Sequence, residues 1–233
     1  MSSAGGLAYG RYATGGREEW LMRIGPAEGV PILFLPPLFE EMNRTRAFIA
    51  TIMRELARRG YGCWLPDLPG TGESSLALEA CSWSDWRTAV RDAAEHVSRV
   101  AGRTAALASV RGGALLDEAA EAGCRWRFAP VEGASLARDM VRASMLKPEQ
   151  MQGPFVDLAG YRLSERLLAA LTDAKLQTVG RVRTVRLHSD RNEADGKLEG
   201  TALWRRSEPA NAPELAALSA SDIDDWVARC AAS

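Results

Sequence analysis

Short unbroken apolar runs alternate along this chain with longer stretches in which apolar residues recur every three or four positions. Residues 30–35 (VPILFL) and 61–65 are runs of the first kind, bounded by turn residues, as expected of strands buried on both faces. Between them, residues 42–58 place Phe48, Ile49, Ile52, Met53 and Leu56 on one helical stripe, and Gly60 ends it. Residues 86–100 repeat the pattern with Trp86, Val90, Ala93, Ala94 and Val97. Further strands are predicted over 104–109 (TAALAS), 125–131 and 181–188, with a last one at 201–204. A closing helix over 213–231 turns Leu215, Leu218, Ile223, Trp226 and Val227 inward. The start, 7–24, alternates weakly and reads as two antiparallel strands around Gly15-Gly16. Strands alternating with helices predict an α/β fold, a mostly parallel central sheet covered on both faces. Residues 135–171 break the alternation with helical stretches and no strand. Residues 134–178 are therefore expected to be a helical cap inserted in a single domain spanning 1–233.

The turn after TAALAS carries the candidate chemistry. Ser109-Val110-Arg111-Gly112-Gly113 joins a strand to a helical pattern that runs to about Gly123. Small residues stand two before and two after the apex, as in the strand–turn–helix elbow G-x-S-x-G that exposes a nucleophilic serine. Here the apex is Arg111, which stays protonated and cannot attack a carbonyl. A shifted role for Ser109 is disfavoured, because Arg111 would then occupy a position that tolerates only small side chains.

Composition narrows the function classes. The chain has 233 residues, 46% hydrophobic and 25% charged, enough for a sizeable core. Its formal net charge of −1 argues against nucleic acid as a partner. Cys63, Cys81, Cys124 and Cys230 form no Cys-x-x-Cys pair, and His96 and His188 are the only histidines, so no metal site is expected. Scattered thiols suit a reducing compartment. The first residues lack the charged start and apolar stretch of a signal peptide, and no apolar run spans a membrane, so a cytoplasmic location is expected. Pro69-Gly70-Thr71-Gly72 has neither a third glycine nor a Gly-Lys-Ser/Thr, and no nucleotide or other cofactor is expected.

Residues 67–74 instead resemble the D-x-x-G-x-G-x-S turn that follows the fourth strand of α/β-hydrolases. The chain as a whole resembles an α/β-hydrolase-fold protein, and more narrowly the second type of hydrolase-like protein encoded beside bacterial exosortase systems. Four segments carry the match. Residues 35–46 are similar to the family's P-F-x-E-E-M-N-x-x-R stretch, 109–113 to its G-L-R-x-G elbow, 159–164 to its A-G-Y-x-L-S segment, and 204–215 to its W-x-x-x-E-I-x-x-A-P-x-L ending. Ser109 departs from the elbow's first glycine. The resemblance implies a link to exopolysaccharide export or exosortase-dependent surface processing, and an ester, thioester or acyl substrate.

A serine hydrolase also needs a histidine after the last strand, and 205–213 has none. Arg111 has two readings: a fixed cation that holds a carboxylate, phosphate or developing oxyanion, or a lock paired with Glu40 or Glu41. Glu40 and Glu41 follow the VPILFL strand, where hydrolases place the oxyanion-hole loop. They read either as a salt bridge or base beside Arg111, or as a loop clamp and helix N-terminal charge. His188 ends a strand near the usual place of the triad acid and reads as a base or as a packed histidine. Candidate catalytic residues are thus Arg111, Glu41, Glu40 and His188, with Leu38, Val110, Gly112 and Asp190 beside them for substrate. An atypical enzyme and a non-catalytic protein that binds an anionic ligand or a protein partner both remain open, as does a homodimer.

Overall fold

The buried apolar runs become the middle of one sheet in the computed structural model, which describes residues 6–144 and 153–232. Its strands are β1 (Leu7–Thr14), β2 (Arg17–Ile24), β3 (Val30–Leu35), β4 (Tyr61–Pro66), β5 (Ala106–Val110), β6 (Arg125–Phe128), β9 (Val182–Leu187) and β10 (Gly196–Leu198). The spatial order is β1-β2-β4-β3-β5-β6-β9-β10. β1 and β2 form an antiparallel hairpin, β2 joins β4 antiparallel, and every other pairing is parallel. β7 (Phe155–Leu158) and β8 (Tyr161–Ser164) form a separate hairpin.

Alternate residues of β3 feed two cores. Ile32 and Phe34 pack with Phe48, Ile49, Ile52 and Ile223, from α1 (Glu40–Arg58) and α5 (Pro213–Ala231). Leu33 and Leu35 pack on the other face with Trp86, Val90 and Val97 of α2 (Trp83–Ala101). Both faces of the strand are therefore dry, which is why VPILFL shows no polar alternation. Ser82 caps α2 through a reciprocal capping box with Asp85, and Gly102 ends it in the left-handed region at φ 69°.

Three sequence expectations need correction. The helix predicted after the elbow is two short 3-10 turns, Arg111–Leu115 and Asp117–Ala119. Asp117 is fully buried, and its carbonyl and that of Ala120 accept from Arg125 at 3.1 and 2.6 Å, so neither sustains an α-helical ladder. The last strand is β10, and the expected strand at 201–204 gives way to a 3-10 turn, Leu203–Arg205. The segment 135–171 is not purely helical: α3 (Gly133–Ser144) and α4 (Glu165–Asp173) flank the β7–β8 hairpin. Part of it, 145–152, lies outside the described residues.

β4 lies on one side of β3 and β5 on the other, so the chain reverses direction across the sheet there. The loops leaving β3 and β5 flank the crevice where open α/β sheets bind ligands. They carry Glu40, Glu41 and Arg111.

Candidate functional site

Arg111 follows β5 with φ 52°, the backbone strain expected of an elbow apex. Gly113 makes the bend possible: a Cβ there would lie 2.4 Å from the Leu35 carbonyl oxygen and 2.5 Å from that of Pro36. The elbow is thus pressed against the end of β3. Ser109 does not reach the apex. It is fully buried and its Oγ donates to Asp117 Oδ2 at 2.9 Å.

The Arg111 guanidinium is committed on several sides. Nε and Nη2 donate to Glu41 at 3.1 and 2.8 Å, and Nη1 donates to the Ala129 carbonyl at 3.1 Å. The side chains of Arg111 and Glu41 are only 11% and 13% exposed, so the pair is largely dry. The guanidinium also lies 4.6 Å from the ring centroid of Trp204. Three of its five N–H groups are engaged in these bonds, which leaves two.

Glu40, next in sequence, faces different partners. Its Oε2 accepts from Asn43 Nδ2 at 3.2 Å and from the Tyr161 hydroxyl at 3.4 Å, and Arg44 Nε stands 3.5 Å from Oε1. Burial, followed by the Glu40 charge, pushes the Tyr161 phenol up to about 12. Arg44 Nη1 also donates to the Trp204 carbonyl at 3.0 Å. The four segments singled out in the sequence therefore meet: 35–46 through Glu40, Glu41 and Arg44, the elbow through Arg111, 159–164 through Tyr161, and 204–215 through Trp204.

Two clefts share the Arg111–Trp204 wall. One, about 760 Å³, is lined by Leu38, Phe39, Glu40, Glu41, Met140 and Tyr161 among others. The other, about 500 Å³, lies towards β9 and is rich in arginine. Four non-glycine residues have positive φ among the described residues: Phe39, Arg111, Ala129 and Ala159. All four line one or both clefts. Strain of this kind costs about 1–3 kcal/mol per residue, and here it is concentrated around one place.

The other sequence candidates divide. Leu38 lines the larger cleft, and Asp190 lines the smaller one while pairing with Arg186 at 2.9 Å. Burial opposes ionisation of Asp190, but the Asn192 amide and Arg186 prevail and hold its carboxyl below the usual range. Val110 is packed in the core, and Gly112 sits where a Cβ would come within 2.9 Å of Leu136 Cδ2. His188 is not brought to the site. Its side chain is 57% exposed with Nε2 3.7 Å from Glu199, and it lines neither cleft. His96 lies edge-on to Trp64 in α2. Among the described residues, no group of three His, Cys, Asp or Glu side chains is placed to hold a metal ion.

Beneath the elbow lies a cluster that the sequence reading missed. Asp117 accepts from Arg127 Nε and Nη2 at 2.7 and 2.6 Å as well as from Ser109. Arg125 is also buried, and burial pulls its guanidinium down. Arginines at alternate positions of a central strand were the available signal, since a buried guanidinium demands a buried acceptor.

No family model matches the sequence, and no curated protein matches it. Solved structures do match in shape. Ferulic-acid-bound Est1E from Butyrivibrio proteoclasticus is 13% identical, with a TM-score of 0.67, over 96% of this chain and 100% of that one. The esterase domain of a Rhodothermus marinus protein is 16% identical, with a TM-score of 0.59, over 96% and 98%. A malate-bound thermophilic esterase from Thermogutta terrifontis is 12% identical, also at 0.59, over 96% and 99%. The chain has the α/β-hydrolase fold. No helix among the described residues is long and apolar enough to cross a membrane.

Proposed function

We propose that this is an α/β-hydrolase-fold protein without serine chemistry, which binds an anionic small molecule beside Arg111. The observation that carries the reading is the elbow itself. A guanidinium occupies the apex, held in place by Glu41 and the Ala129 carbonyl, with two N–H groups to spare. Ser109 is tied to Asp117, and His188 stands on the surface, so neither is placed as half of a nucleophile–base couple. The concentration of backbone strain around the clefts supports a maintained site rather than a relic.

The same strain favours a second reading, an atypical enzyme acting on an ester, thioester or acyl group. Arg111 would steady the developing oxyanion, and Glu40, which lines the larger cleft and is the more exposed of the two glutamates, would activate water. The resemblance carried by the four converging segments supports placing either activity beside exosortase-dependent processing or exopolysaccharide export, in the cytoplasm.

A fluorophosphonate serine probe and p-nitrophenyl acetate decide between the readings. The binding reading expects no covalent labelling and no hydrolysis above buffer. Hydrolysis that Arg111→Ala abolishes in a folded protein selects the enzyme, and probe labelling overturns both.

A further inference from the structure

The cleft on the β9 side of Arg111 is lined by six arginines: Arg111, Arg138, Arg142, Arg186, Arg191 and Arg205. Among the described residues, two carboxylates line it, Asp139 and Asp190. Glu41 neutralises Arg111, Asp190 pairs with Arg186, and Asp139 stands 3.7 Å from Arg142. Arg138 on α3, Arg191 after β9 and Arg205 in the Leu203–Arg205 turn have no carboxylate within ion-pair distance among the described residues. Among the described residues, the buried Nε of Arg186 likewise lacks a hydrogen-bond partner.

A chain of net charge −1 has thus gathered a local surplus of cations in one concavity. Like charges gathered around one concavity repel, and a shared anion relieves them. A single carboxylate would offset one of three free guanidinia. A phosphoryl group carries up to two charges, and its oxygens match the guanidinium fork. The Ser135 and Ser189 hydroxyls on the same wall suit a polar body attached to that group. A cleft of about 500 Å³ is the size of a small-molecule pocket rather than a polymer track.

We infer that this cleft binds a phosphorylated small molecule, its phosphoryl group held between Arg138, Arg191 and Arg205. The inference rests on the proposed anion site beside Arg111 and names its ligand class.

The test is calorimetric titration at constant ionic strength with inorganic pyrophosphate, and with acetate and sulfate as comparators. Saturable one-to-one binding of pyrophosphate is expected. It should weaken about tenfold or more in Arg191→Ser/Arg205→Ser, through loss of charge-assisted hydrogen bonds. Both side chains are exposed, so the variant retains its fold. Arg138→Ala, on α3, should weaken it independently. The inference is overturned if acetate or sulfate binds as tightly as pyrophosphate, or if the double variant binds pyrophosphate like the wild type. Labelling by the serine probe with pyrophosphate binding intact would overturn both readings of the proposed function and leave the ligand class standing. Loss of the pyrophosphate response without labelling would overturn only the ligand class.

Discussion

An arginine at the tip of a strained turn is stable only if its charge is answered and its backbone is held. Arg111 meets both conditions through a bidentate carboxylate, a carbonyl and an aromatic face. The pair with Glu41 is mostly shielded from water, so breaking it from one side leaves an uncompensated charge. Glu41→Gln is therefore expected to cost about 3 kcal/mol in urea unfolding. Arg111→Met/Glu41→Leu removes both charges and should cost less than the sum of the single changes, because the partners share one interaction. Additive losses would show that the two side chains act separately. Glu41 was expected either as a base or as a clamp, and the geometry gives it Arg111 as a bidentate partner. A carboxylate engaged on both oxygens by one guanidinium is poorly placed to take a proton, which is why the enzymatic reading turns to Glu40.

At the scale of elements, the main strands and helices were legible locally, although Leu218, expected to face inward on α5, is 43% exposed. The strands β3 and β5 and the helices α1, α2 and α5 rest on apolar runs or stripes that the residues themselves display. The failures have different causes. Ala114, Leu115 and Leu116 look helical, but Asp117 answers arginines on β6 and diverts the chain into 3-10 turns. β10 has only three half-buried residues, Gly-Lys-Leu, so it leaves almost no hydrophobic trace. The β7–β8 hairpin did leave one. Phe155, Val156, Asp157 and Leu158 alternate exposed and buried, and Ala159-Gly160 makes the turn with positive φ at both residues. At the site, Arg111, Glu40 and Glu41 were legible because the elbow spacing marks them. The Asp117 cluster was marked only by Arg125 and Arg127 alternating on β6, and its acceptor shows only when β5 and β6 lie side by side. That cluster now yields a prediction. Asp117→Asn strands Arg127 and should lower stability by about 3–5 kcal/mol, whereas Ser109→Ala, which removes one hydrogen bond, should cost about 1 kcal/mol. Chemical denaturation of both variants gives the comparison, and equal losses would refute the ranking.

Across the whole molecule, polar contacts fasten α5 to the sheet at several points: Asp224 accepts from the Tyr61 hydroxyl at 2.6 Å, Trp226 Nε1 donates to the Arg125 carbonyl at 3.0 Å, and Asp222 bridges β6 and β9. Asp222 accepts from Trp126 Nε1 on β6 at 2.7 Å and from Arg183 Nε and Nη2 on β9 at 2.8 and 2.7 Å. Burial works against its charge, but the Arg183 and Trp126 hydrogen bonds outweigh burial and hold the carboxyl below the usual range. A carboxyl whose folded pKa is depressed adds stability that is complete above its unfolded value, about 3.9, and lost as pH falls through the folded value. Asp67 has the opposite sign. Burial raises its pKa, so its contribution grows as pH falls through that raised value. The two can be separated by variant. Asp222→Asn should cost about 2 kcal/mol at pH 7, the scale of hydrogen bonds to a charged group. The gap to the wild type should hold constant down to about pH 5 and close below about pH 4, as the wild-type carboxyl itself protonates. Urea unfolding of both proteins between pH 3 and pH 7 measures the gap. If it stays constant across that range, the Asp222 charge contributes nothing to the clamp.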